Sequence, residues 1–189
     1  MLSLRPLLVM VLSLGLAACQ WTFNSTNFEG RKISEISIRK SGSGTIRDQQ
    51  ILDLISSKKG TSYSSARLDS DTGSLYQSGL VDDVEFLAKR HGEGVRLIAK
   101  ISTRPPLGPG GGIIGNSAFS DEKLAKVTGL KAGQQATRPR MNSAIRRLEQ
   151  FYRLNGYQKV GITSSLKAGE PAKVENLFFI VKEGPVRNP

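Results

Sequence analysis

SLYQSGLVDDVEF (residues 74–86) and QFYRLNGYQKVGI (residues 150–162) share one pattern: an apolar helix end with a tyrosine, a glycine, then alternating strand residues, with one residue inserted in the second copy. A glycine just past a helical pattern is the usual stop signal of a helix. Both stretches therefore read as a helix running into a strand.

Working outward from the first stretch, SSARLDSDTGSLYQSG (64–79) opens with serines suited to an N-cap and repeats Leu68, Thr72 and Leu75 at helical spacing up to Gly79. IRDQQILDLISS (46–57) places Ile46, Ile51, Leu54 and Ile55 at helical spacing, and Gly60 closes that segment. ISEISIRK (33–40) alternates Ile36 and Ile38 against polar neighbours, as a strand does. Downstream, VDDVEFLAKR (81–90) and VRLIAKIS (95–102) alternate on either side of the turn HGEG (91–94). Val84, Phe86 and Ala88 fall on one face of the first strand. Val95, Leu97, Ala99 and Ile101 fall on one face of the second, leaving Arg96, Ile98 and Lys100 outward. The order is strand, helix, helix, strand, strand.

The same order recurs about 75 residues later. LGPGGGIIGN (107–116) holds the first strand, weakened by glycine and proline. Gly133 is expected to end the short first helix. A long helix from about Thr137 to Leu154 carries Met141, Ile145, Leu148 and Tyr152 as a core stripe, with Arg146, Arg147 and Arg153 as a solvated basic face. KVENLFFIVKEG (173–184) repeats the last strand. Its parity turns Leu177, Phe179 and Val181 inward and Phe178 and Ile180 outward.

Parity also sets the sheet order. Two helices return the chain so that the last strand runs parallel to the first, between it and the middle strand, which lies on an edge. The fold class is α+β: two tandem β-α-α-β-β units, each a three-stranded mixed sheet with two helices on one face. The expected boundaries are 1–18 signal, 19–31 tether, 32–104 first unit, 105–185 second unit and 186–189 tail.

The N-terminus carries one positive charge, the apolar run of PLLVMVLSLGL and small alanines, the layout of an export signal too short to span a bilayer. Leu16-Ala17-Ala18-Cys19 resembles the lipobox of bacterial lipoproteins. That resemblance implies a diacylated Cys19 as the first mature residue and attachment to the membrane through acyl chains. Gln20 follows where Asp would signal inner-membrane retention, so the expected location is the periplasmic face of the outer membrane. Cys19 is the only cysteine, so the folded part holds no internal disulfide.

The net charge of +11 favours anionic partners, which for an exported protein are lipid headgroups, envelope polymers or acidic protein surfaces, and not nucleic acid. No catalytic set, metal cluster or cofactor site is expected. His91 lies in a turn. Asp82 and Asp83 read as the surface start of a strand. Gly110-x-Gly112-x-x-Gly115 has dinucleotide-binding spacing, but prolines precede it and glutamines, Gln134 and Gln135, stand where the acid should be.

The repeated unit resembles the POTRA domain, through Leu75-Tyr76-x-x-Gly79 with Asp83-Val84, Tyr152-x-x-x-Gly156-Tyr157, Pro105-Pro106 at the junction, Gly115-Asn116, and Glu183-Gly184-Pro185. POTRA domains are periplasmic modules of outer-membrane barrel assembly factors and two-partner secretion transporters, where they receive unfolded polypeptide and dock lipoproteins. The resemblance implies a polypeptide-binding scaffold that takes unfolded outer-membrane clients by strand addition and contacts a β-barrel assembly factor. The expected binding region is Phe178 and Ile180 beside an edge strand containing Lys159, Gly161, Thr163 and Ser165. The alternatives are an envelope tether touching cell-wall polymer or anionic lipid, and the front part of a barrel assembly factor.

Overall fold

The computed structural model describes residues 28–170 and 173–185. Cys19, Gln20 and the signal lie outside the described residues, as does the tail. The chain forms β1 (Ile33–Gly42), α1 (Asp48–Leu54), α2 (Ser65–Ser78), β2 (Asp83–His91) and β3 (Gly94–Thr103). It then repeats the order as β4 (Leu107–Ile114), α3 (Asp121–Thr128), α4 (Arg138–Leu154), β5 (Gly161–Ala168) and β6 (Glu175–Lys182). The sheets run β1-β3-β2 and β4-β6-β5. In each, the last strand is central, parallel to the first and antiparallel to the second.

The repeat extends to backbone detail. Gly60 N–H donates to the Ile33 carbonyl at 2.7 Å and Gly133 N–H to the Leu107 carbonyl at 2.8 Å. Thus Gly60 and Gly133 are equivalent loop residues that tie each inter-helix loop to the start of each first strand. They do not end the first helices: α1 stops at Leu54 with Ile55 as its cap, and α3 is capped by Gly129. Ile46 and Ile55 are buried just outside α1. Gly42 and Gly115 end the two first strands at φ +87° and +85°, where a side chain would meet the backbone carbonyls of Thr103 and Val181. Only glycine fits there without strain.

The helices cover one face of each sheet. Val95, Leu97, Ala99 and Ile101 are buried under α1 and α2, and Leu177, Phe179 and Val181 under α3 and α4 with Met141, Leu148 and Tyr152. On α2 the inward position between Leu68 and Leu75 belongs to Asp71, while Thr72 is half-buried. The Asp71 carboxylate accepts hydrogen bonds from Ser56 N–H, Ser56 Oγ and Ser57 N–H at 2.7, 2.6 and 3.0 Å, fixing the chain that leaves α1.

The second unit has its own carboxylate staple. Glu183 accepts from Ser117 N–H (2.8 Å), Ser117 Oγ (2.5 Å), Ala118 N–H (3.0 Å) and the hydroxyl of fully buried Tyr152 (3.0 Å). Burial works to raise its pKa, but these hydrogen bonds to the ionised form outweigh it and bring the carboxyl down to about 2.

Two further expectations are corrected. Residues 28–31 belong to the packed unit, not the tether: Phe28 stands edge-on to Tyr63 at 6.2 Å, and Glu29 accepts from the Ser65 N–H at the start of α2. Asp82 is buried, not a surface strand start, because the second unit covers it. It forms ion pairs with Arg104 Nε at 3.1 Å and Arg138 Nε at 3.2 Å, and accepts a hydrogen bond from the Arg138 N–H at 2.7 Å. Of the basic face of α4, Arg147 is exposed yet tied down, donating to the Thr128 carbonyl at the end of α3.

Candidate functional site

The face of each sheet away from the helices is where the two units differ. On the first sheet, β1-β3-β2 neighbours place Glu35 beside Arg96, and Lys100 beside Glu85. They form ion pairs at 2.8 and 3.0 Å, and His91 at the end of β2 adds a contact to Glu35. Between them Ile98, expected to face outward, is only 4 % exposed. Ser37 and Leu87 flank it across the strands. Little apolar surface is left for a ligand.

The second sheet is open. Ile180 of β6 lies between Ile114 of β4 and Thr163 of β5, and Phe178 lies between Gly112 and Ser165. Ile180 is 40 % exposed and Ile114 53 %. Phe178 is half-buried because its neighbours are too small to cover the ring. Lys167 Nζ sits 5.1 Å from the ring centroid, a cation–π contact that leaves the remaining ring surface bare.

Beside this floor runs β5, hydrogen-bonded to β6 on one side only. Its other edge presents backbone N–H and C=O groups, the template an extended chain can pair with. Gly161, Thr163 and Ser165 share the open face with Ile180 and Phe178, so the structure brings five of the expected residues together. Lys159 is not among them as a strand residue: it lies in the turn before β5, whose ladder begins at Gly161. Ile114 and Lys167 were not expected. The parallel pairing of the first and last strands, which sequence parity gives, would have placed Ile114 beside Ile180.

The glycine run forms strand, not a phosphate loop. Gly110 and Gly112 are inside β4, its register slips between Leu107 and Gly111, and α3 begins only at Asp121. Among the described residues no group of three or more His, Cys, Asp or Glu is placed to hold a metal ion.

Residues 112–184 match the POTRA family model, described as a surface antigen variable number repeat. The second unit is a POTRA domain. The match runs from the end of β4 to Gly184, so it takes in Ile114, Phe178, Ile180 and the whole of β5.

Solved structures extend the fold likeness across both units. POTRA1-2 of the periplasmic domain of Omp85 from Anabaena superposes with a TM-score of 0.59 at 19% identity, covering 84% of this chain and 99% of that one. The N-terminal domain of Omp85 from Thermosynechococcus elongatus gives 0.51 at 22%, covering 78% and 61%. BamA POTRA3-5 from Haemophilus influenzae gives 0.59 at 12%, covering 83% and 68%. The chain thus spans about three fifths of the Thermosynechococcus domain. No curated protein matches.

Proposed function

We propose that this protein is a polypeptide-binding scaffold in outer-membrane protein assembly or secretion, held at the periplasmic face of the outer membrane by lipid on Cys19. POTRA homology of the second unit and the fold shared with periplasmic domains of Omp85 and BamA support the assembly role. The lipobox and Gln20 support the anchor and its location.

The observation that carries the binding reading is the pairing of an unpaired strand edge, β5, with an exposed apolar floor on the same face of the sheet. An extended client adds as a further strand beyond β5. Its backbone supplies hydrogen bonds irrespective of sequence, and its alternate side chains lean across Thr163 and Ser165 toward Ile180 and Phe178 of β6. Such recognition suits unfolded chains of many sequences and needs no bond-making chemistry.

The test is binding of a fluorescent peptide of alternating apolar and polar residues to the wild type and to the Ile180→Ser variant. Complete burial of an aliphatic side chain contributes about 1.5–3 kcal/mol. With 40 % of Ile180 exposed, covering it is worth about 0.6–1.2 kcal/mol. The variant should bind roughly 3- to 8-fold more weakly at unchanged melting temperature. Undiminished affinity at unchanged stability removes the apolar floor from the site.

A further inference from the structure

Between the two units, away from the β5 edge, lies a cleft of about 650 Å³ walled by the C-terminal end of α2, the loop after α3, and α4. Its charge is unbalanced. Arg138 is matched there by Asp82 and Asp83 at 3.2 and 3.4 Å. Arg140, Arg146 and Arg147 also line it, and among the described residues none of the three has a carboxylate within ion-pair distance. Arg140 donates to the carbonyls of Gly79 (2.7 Å) and Ser78, Arg147 to that of Thr128, and Arg146 to Ser143 Oγ at 2.9 Å. These neutral acceptors hold the guanidiniums in place without cancelling their charge, and each keeps free N–H donors.

We propose that this cleft docks an acidic segment of a partner protein, whose carboxylates pair with Arg140, Arg146 and Arg147. Arginine forks match carboxylate geometry. The other lining groups, including Gln77, Gln134, Asn142 and Ser143, can serve a peptide backbone, while Leu130 and Pro139 offer little cover for acyl chains. An acidic segment seated there touches both units and braces one against the other.

The test uses the full chain in nonionic detergent and fluorescence anisotropy with a Glu-Gly-Ser repeat peptide and its Gln-for-Glu counterpart. The Glu peptide should bind in a manner that fades with salt, and the Gln peptide should bind at least tenfold more weakly. Arg146→Glu, at an exposed helix position, should cost roughly tenfold or more. Asn142→Asp, which adds a carboxylate to the wall without touching an arginine, should also weaken binding. Lys89→Glu, on the far sheet face of the first unit, should not. Equal binding of the two peptides, indifference to Arg146→Glu, or an equal loss from Lys89→Glu would overturn the proposal. So would Arg146-dependent binding of phosphatidylglycerol-doped micelles with no binding of the Glu peptide, which would make the cleft a lipid-headgroup site.

Discussion

Replacing Glu183 by Ala should unfasten the loop after β4, the end of β6 and α4 from one another. The variant loses four accepted hydrogen bonds, two from backbone N–H groups, one from Ser117 Oγ and one from Tyr152. The Ser117 amide and hydroxyl lie at an exposed residue where water can replace the carboxylate. Tyr152, at 0 % exposure, has no such recourse. An orphaned buried hydroxyl costs about 1–3 kcal/mol, and the charge-assisted bonds add about another 1, for a total of roughly 2–4 kcal/mol. The pH dependence is a second signature. The folded carboxyl lies at about 2 against an ordinary 4.5. A depressed folded pKa means that the stabilisation is complete above about pH 4.5 and is lost as pH falls toward 2. Urea unfolding followed by far-ultraviolet circular dichroism, at pH 7 and in steps down to pH 2.5, should show a wild-type advantage that shrinks through the acid range. A loss below about 0.5 kcal/mol at pH 7, or a gap that stays constant with pH, refutes the staple.

In the first unit, Asp71→Ala should cost about 2–3 kcal/mol in the same assay, since it strips three hydrogen bonds from the chain leaving α1. Tyr152→Phe should cost only about 1 kcal/mol, because hydroxyl and orphan leave together. Cys19→Ser should leave the units folded but abolish acyl labelling and membrane association, checked by fractionation after metabolic labelling with a fatty acid. Residues 28–104 expressed alone should give a cooperative unfolding transition, because the first unit's apolar clusters draw only on residues 28–101.

Strand faces were legible from parity alone: Val95 to Ile101 and Leu177 to Val181 are buried as alternation requires, and Phe178 and Ile180 face away from the helices. Parity gives direction but not cover, which is why it missed Ile98. That side chain points away from the helices yet is only 4 % exposed between Ser37 and Leu87 of the neighbouring strands. Asp82 was misread because its partners, Arg104 and Arg138, lie 22 and 56 residues away in sequence and one belongs to the other unit. Phe28 and Glu29 escaped notice because one aromatic contact and one helix-end carboxylate leave no periodic trace. Thr72 falls at helical spacing with Leu68 and Leu75, yet Asp71 takes the inward position, and only the Ser56 and Ser57 donors make a buried carboxylate there intelligible.

Strand addition at β5 is tested most directly by amide hydrogen exchange of the full chain with and without an unfolded outer-membrane polypeptide. An extended client hydrogen-bonded to the free edge should slow exchange within Gly161–Ala168, leave the β1 and β4 edges unchanged, and lose part of its effect in the Ile180→Ser variant. Client binding that leaves β5 exchange unaltered, or that protects β1 or β4 instead, contradicts it.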